Sequence, residues 1–449
     1  MADPVGISVS AAPVMTAAPT WTRLDVDYQV TGWTVDRGRT YELEKTAPGR
    51  ATITLVDTDG TFDPSQPSML VDVMHHAAVC LQNPNDSTWS TLFRGYVSSL
   101  RWDLHPTERF AHVTLDLVDG QAIVAAAEMV PDGTWGDDVI DGNIAYNEDT
   151  ELDAVQTRIN QVLDEVGWPS SLRSVFTGNV GLRGWAGVRS DGAGIYAPRT
   201  SALQVILDAA DAEFPDIANV YISGPSRTGA GGPDRLSGSF TFHGRLARFN
   251  PDDVQYKIRT WKVGDHGAVA ADPTLALVSP PLTVFRDDSH LVTSAIATPQ
   301  GVADGDIPAQ YVTDTTAVGL YGLRTWSAEN LLTGNGTGPT TGLEQTRLFA
   351  DYHRDNYKTT RTRVGQLTFR PQDPDGSYGT RTWRILCGVD ISDVIELTSF
   401  HFGSSGFAAE RFYVEGVHYE AQPGGADHPD VTLTLDVSPA GYYDENPFS

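Results

Sequence analysis

The chain has 449 residues, with 58 acidic against 31 basic side chains and a formal net charge of −27. Such an excess excludes holding DNA or an anionic membrane by counterion release. Two cysteines, Cys80 and Cys387, are too few for a disulfide framework or a zinc cluster.

Residues 1–20 are small, apolar and proline-containing, and the first basic residue is Arg23. They lack the positive start of a secretory signal, and no run approaches the ~18 apolar residues that span a bilayer. We expect a cytosolically made chain with no membrane anchor. Residues 1–20 should form a loose arm that orders on a partner.

Residues 21–125 read as a first β-domain. Trp21, Leu24, Val26 and Tyr28 alternate, Trp33 opens a second strand, and Arg37-Gly38-Arg39 turns the chain. A strand follows over 50–57, then another around 71–81. Residues 126–150 are irregular and acidic. Over 151–166 the apolar residues Val155, Ile159, Val162, Leu163 and Val166 share one helical face. Asp149 or Thr150 would cap this helix and Gly167 would end it.

A second helix is expected over 201–213, stopped by Pro215, followed by strands at 219–223 and 239–243 around the glycine-rich loop 224–232. Together with the linker, 126–262 reads as a small α+β domain. Residues 263–342 form a connecting β segment, with strands at 288–299 and 310–314. A third helix at 343–357 opens a second β-domain that fills 343–449.

The two β-domains repeat one another in degenerate form. Residues 93–120 run Phe93-Arg-Gly-Tyr-Val97 to Val113-Thr-Leu-Asp-Leu117 around a turn at His105 and Pro106. Residues 412–441 run Phe412-Tyr-Val-Glu-Gly-Val417 to Val431-Thr-Leu-Thr-Leu435 around a turn at 423–427. Each reads as a half-buried hairpin. Upstream, Arg50-Ala-Thr-Ile-Thr-Leu55 precedes Asp59-Gly60, and Arg363-Val-Gly-Gln-Leu-Thr-Phe369 precedes Asp375-Gly376. A strand follows each, around 71–81 and 385–397. A duplicated β-domain suits a ring, because a few chains then supply twice as many lobes.

Candidate chemistry is sparse. Asp57-Thr-Asp-Gly-Thr-Phe-Asp63 shares acidic spacing with calcium loops but lacks the closing Glu, and Asp-Gly is a hairpin turn signal. His75 and His76 would point to opposite faces of a strand, so they cannot chelate one ion together. The loop 224–232 lacks a Gly-Lys-Ser/Thr and sits between strands, which argues against phosphate binding. Trp21, Trp33, Trp102 and Trp383 fall in alternating strands, where packing is expected rather than sugar stacking. No Gly-x-Ser-x-Gly elbow is present. We therefore expect no catalytic, cofactor-binding or metal-ligating residue and no cofactor.

Several of these segments resemble a known family. Trp33…Asp36-Arg-Gly-Arg39…Glu42-Leu-Glu44…Gly49-Arg-Ala-Thr-Ile-Thr-Leu55…Asp59-Gly-Thr-Phe-Asp-Pro64, followed by Phe93-Arg-Gly-Tyr-Val97, is similar to minor tail proteins of siphophages infecting actinobacteria. The later half, with Phe242-His-Gly-Arg245, Tyr321-Gly-Leu-Arg324 and the closing hairpin, resembles the wider family of phage tail hub, or baseplate hub, proteins. Arginine supplies all but four of the basic residues, as in a high-GC host.

The resemblance implies a mainly β fold with an α+β insert. Two tube-like antiparallel β-barrel domains would be related by internal duplication, beside a small α+β domain. It implies a virion protein, assembled in the host cytoplasm. Three copies would form a homotrimer ring at the tail tip that joins tube to tip and lets DNA pass without specific binding. Expected partners are the distal tail protein, the tape measure protein and other tail-tip proteins. Some hubs carry a C-terminal hydrolase or receptor-binding extension, whereas this chain ends within twelve residues of its last expected strand. The rival readings are a hexameric distal tail protein, a tail-associated cell-wall hydrolase and a carbohydrate-binding β-protein.

Overall fold

The computed structural model describes residues 5–84, 86–104, 107, 109–129, 155–176, 199–226, 236–248, 254–260, 275–279, 281–299, 309–331, 342–361, 363–371, 379–399, 410–422 and 430–442. The expected turns at 105–106 and 423–427, the second Asp-Gly at 375–376, the caps at 149–150 and most of the 126–150 linker and glycine-rich loop lie outside them.

An open sheet of thirteen strands dominates. In spatial order it runs Leu275–Val278, Val254–Thr260, Val394–Ser399, Glu410–Gln422, Gln29–Gly38, Ala47–Asp57, Ala111–Asp119, Trp89–Leu104, His76–Gln82, Val5–Ser10 and Thr22–Arg23. Asp430–Pro439 pairs with Glu410–Gln422 and carries Gln366–Phe369 on its other side. Both expected hairpins are present and antiparallel, Trp89–Leu104 with Ala111–Asp119 and Glu410–Gln422 with Asp430–Pro439.

Alternation explains how these strands bury one side. Over Ala111–Asp119, the residues Val113, Leu115 and Leu117 are sealed while His112 and Asp116 are exposed. Strand Ala47–Asp57 buries Ala51, Ile53 and Leu55 in step with them. The sealed side chains of both β regions belong to one hydrophobic cluster, in which Ile53 and Leu115 join Leu367, Leu433 and Tyr419. Burial of this apolar surface, at about 25 cal/mol per Å², is the main force holding the halves together. The two regions expected as separate domains therefore share a sheet and a core.

Several expectations need correction. The alternating run expected as a strand from Trp21 to Tyr28 is a strand only at Thr22–Arg23 and turns over 24–28, and the strand expected from 288 begins at Ser294. Val5–Ser10 is a fully buried strand paired along His76–Gln82, so the start of the chain is no loose arm. Its run Val5, Ile7, Val9 carries the period-two signal, masked by small neighbours. Residues 71–75 turn, and the strand begins at His76. The strand expected from 385 begins at Val394; residues Gly379–Gly388 are a helix that buries Trp383, Ile385 and Leu386. That spacing of sealed residues is helical, and a short apolar run cannot by itself separate helix from strand. Finally, helix Gly342–Tyr357 packs on the three-stranded sheet Ser294–Pro299, Gln310–Thr313 and Thr325–Leu331, not as part of the second β-domain alone.

The α+β insert matches its expected elements. Helix Ala202–Glu213 starts on Ser201, whose side chain accepts from the Gln204 N–H, and ends before Pro215. Together with helix Val155–Glu165 it covers a sheet of Arg173–Phe176, Phe240–His243 and Asn219–Ile222. Helix Gly120–Ala126 was not legible in the sequence; Asp119 caps it and also accepts the Gly49 N–H at 2.8 Å. Burial pushes the Asp119 carboxyl up to about 7, against the pull of those two hydrogen bonds.

Candidate assembly site: a buried arginine junction and two strand edges

Strand Gln29–Gly38 joins the first half of the chain to the second. On one side it pairs with Ala47–Asp57, and on the other with residues 416–421. Its last residue, Gly38, has φ +97°, and a Cβ there would lie 2.2 Å from the Glu415 carbonyl. Only glycine lets the strands approach and turns Arg39 inward. The Arg39 N–H then donates to the Glu415 carbonyl at 3.0 Å.

Glu415 is the centre of the junction. It sits at a bulge in Glu410–Gln422, where the pairing slips between Val414 and Gly416. The bulge aims an acidic side chain into the interior, and its relative exposure is 0%. Arg39 Nε donates to Oε2 at 2.8 Å, Arg248 Nη2 donates to Oε1, and the Ser438 hydroxyl donates to Oε1 at 2.5 Å. Burial alone would raise this carboxyl, but the two guanidinium groups bring it down to about 2. Arg39 also donates to the carbonyls of Glu44 and Asp216, and Arg248 lies 4.4 Å over the Tyr413 ring.

Two more buried pairs flank this one. Arg37 donates to Asp390 at 2.8 Å and to the Ile222 carbonyl at 2.9 Å. Arg363 donates to Glu42 at 3.0 Å, and the Tyr357 hydroxyl donates to the same carboxylate. The first β region, the α+β insert and the second β region thus meet through directional charges. Such pairs add little net stability over an apolar equivalent, but breaking one leaves an uncompensated buried charge. Their effect is to fix which surfaces meet.

On the rim of the same seam, His418 stands between Asp36 and Asp436. Its Nδ1 lies 2.6 Å from Asp36 Oδ1, and Nε2 contacts Asp436 Oδ2. Partial burial disfavours its charge, yet hydrogen bonds to the two carboxylates lift its pKa to about 9.

The first hairpin carries the same local geometry. Val97 donates to the His75 carbonyl at 2.9 Å and accepts from Met74 N–H at 2.8 Å. Val414 donates to Asp393 at 2.9 Å and accepts from Ser392 N–H at 2.8 Å. Met74 and Ser392 are both left-handed, at φ 67° and 68°. A bulge follows each valine, at Ser98 and at Glu415.

The residues weighed for chemistry take structural places. The Asp57 carboxylate accepts from the backbone N–H groups of Asp59, Gly60 and Phe62 and from Trp102 Nε1, and so organises a turn. His76 is buried, with Nε2 2.8 Å from the Pro13 carbonyl, while His75 Nδ1 accepts from the Asp72 N–H. Cys80 and Cys387 are both free thiols. Trp33 lies sealed in its strand, Trp102 is half-buried, and Trp383 is helical. Of the loop 224–232, Gly224 packs against Arg37. Among the described residues no group of three or more His, Cys, Asp or Glu is placed to hold a metal. No described helix is long and apolar enough to cross a membrane.

The turn expected at Arg37-Gly38-Arg39 is the end of strand Gln29–Gly38, and periodicity alone does not mark Glu415, Arg248 or Asp390. One signal was present: Glu415 is a lone acid in the apolar run Phe412-Tyr-Val-Glu-Gly-Val417. A buried acid in a strand needs a cation, but its partners lie 376 and 167 residues away.

No protein-family model matches the chain, and no curated protein matches it. Solved structures do. The tail protein from Neisseria meningitidis MC58 aligns over 98% of both chains at 9% identity, with a TM-score of 0.52. The 43 kDa tail protein of prophage MuSo2 from Shewanella oneidensis aligns over 98% of this chain and 100% of its own, at 10% identity and a TM-score of 0.49. Prophage tail protein gp18 from Listeria monocytogenes EGD-e aligns over 96% and 94%, at 11% identity and 0.42. These three structural neighbours are tail proteins, and at these identities the likeness is one of fold.

Proposed function

We propose that the chain is a structural protein of a phage tail tip, without catalytic activity. Its two β regions act as tube-like domains of one internal duplication, and three copies close a hub ring that joins the tail tube to the tip. The observation that carries this reading is the whole-length fold match to a tail protein, over 98% of either chain. The matched geometry at Val97 and Val414 supports the duplication. Tail and tip proteins would be its partners, and the virion tail its location.

On the solvent side of the sheet stand Asp36, Asp103, Asp116 and Glu420, countered by Arg50 and Arg101. We infer that this face borders the channel, where carboxylates repel DNA phosphates and the genome slides without adhering. A solved ring with a basic lumen would refute that part.

Light scattering on a sizing column, followed by negative-stain averaging, tests the ring. A three-fold particle with six lobes and a central hole is expected. A six-fold ring would move the chain to the distal tail position. Zymography on host cell walls tests the absence of catalysis, and clearing by the purified chain would overturn it.

A further inference from the structure

The seam inside the chain has a counterpart without a partner. Ser99 pairs with Asp116 and Leu100 with Leu115, just as Gly416 pairs with Asp436 and Val417 with Leu435. Residues 99–104 of the first hairpin therefore occupy the place of 416–421 in the second. In the second hairpin that edge is covered by residues 33–38, running antiparallel from Gly416 opposite Gly38 to Ala421 opposite Trp33. In the first, the ladder with His76–Gln82 ends at Tyr96, Val97 bonds to Met74 and His75, and among the described residues no strand pairs with 99–104 on that side. An open strand edge is a template for another chain.

The structure also holds a segment shaped like the covering strand. Residues 33–38 lie against Ala47–Asp57, with Asp36 opposite Arg50. In the second half, Val284 lies opposite Val364 and Phe285 opposite Arg363, and Gly365 N–H donates to the Thr283 carbonyl at 2.8 Å. Strand Gln366–Phe369, which continues from there, pairs with Asp430–Pro439 as Ala47–Asp57 pairs with Ala111–Asp119. Residues 281–286 thus stand where 33–38 stand, and among the described residues their outer side pairs with no strand. Both edges display apolar side chains to solvent, Leu104 at 57% and Val284 at 38% exposure.

We propose that residues 99–104 of one copy receive residues 281–286 of a second copy as an added antiparallel strand. Carrying over the internal seam residue by residue sets Ser99 opposite Arg286, Arg101 opposite Val284 and Leu104 opposite Pro281. Pro281 falls at the end of the pairing, where its missing N–H costs least. The contact joins first half to second half, head to tail, and on the ring reading its repetition closes the ring. This inference rests on the ring reading and assigns its interface.

The test is a cysteine pair, Arg101→Cys with Val284→Cys, in the full chain. Directly opposed residues fall within the roughly 4–7 Å Cα separation that a disulfide needs. The same chain with Asp288→Cys in place of Val284→Cys puts the thiol about 13 Å along the strand direction. Oxidation of the 101/284 protein should give covalent dimers and trimers on a non-reducing gel, at least tenfold above the 101/288 protein and above the parent chain. Leu104→Lys should abolish the three-fold particle while leaving the melting curve and circular dichroism unchanged. A three-fold particle that forms without the 101/284 crosslink overturns the assigned edges and leaves the ring intact. A chain that remains monomeric and uncrosslinked overturns both.

Discussion

The bulges at Glu415 and Ser98 occupy the same place in two hairpins of the same geometry, yet their chemistry is opposite. Glu415 points inward between Arg39 and Arg248 and is sealed from water. Ser98 is exposed, and its hydroxyl donates to the Asp116 carbonyl at 3.0 Å. A seam made once, during folding, tolerates a buried charge because its partners are on the same chain. On the open edge a neutral hydroxyl satisfied by its own hairpin leaves no charge to be buried unpaired if a second copy docks as proposed. The difference teaches which edge is closed within the chain and which is left open among the described residues.

The largest effect is expected at the centre of the closed seam. Glu415→Gln leaves Arg39 and Arg248 buried without their anion and should cost about 3–5 kcal/mol in denaturant unfolding. The parent seam should also be acid-sensitive. A carboxyl held at about 2 contributes stability that is present above its ordinary range near 4.5 and is lost as pH falls toward 2. Melting curves of Glu415→Gln should lose less over that window, and an equal loss would remove Glu415 from the account.

Next in size is Gly38→Ala. A left-handed φ and a methyl group 2.2 Å from the Glu415 carbonyl together should cost at least about 2 kcal/mol. Gly60 has φ +79° with nothing within 4 Å of a Cβ, so Gly60→Ala should cost only about 1 kcal/mol. Equal values for the two would show that the seam contact carries no energy.

A smaller, pH-linked effect belongs to the seam's rim. Because the His418 pKa is raised to about 9, its contribution is complete below about 6.5 and is lost as pH climbs through 9. Thermal melts from pH 6.5 to 9.5 should fall more steeply for the parent than for His418→Gln. Parallel slopes would mean that Asp36 and Asp436 do not hold the imidazolium. At the open bulge, Ser98→Ala should change monomer stability by no more than about 0.5 kcal/mol. A cost like that of Glu415→Gln would erase the contrast between the two edges.

Periodicity made much of the fold legible. The hairpins, the strand after Arg50 and the helices at 155–165 and 202–213 all follow from local alternation or helical spacing. Those signals are local because each element buries one face. Three features were decided by tertiary structure. Val5–Ser10 became a strand because His76–Gln82 offered an edge, and residues 379–388 became a helix because of the space they fill against the core. The Arg39–Glu415–Arg248 cluster exists only where three distant segments converge. The sequence by itself determined which residues face inward and how the two hairpins are built. Only the folded chain decided which hairpin edge is covered, since that depends on which segment reaches it.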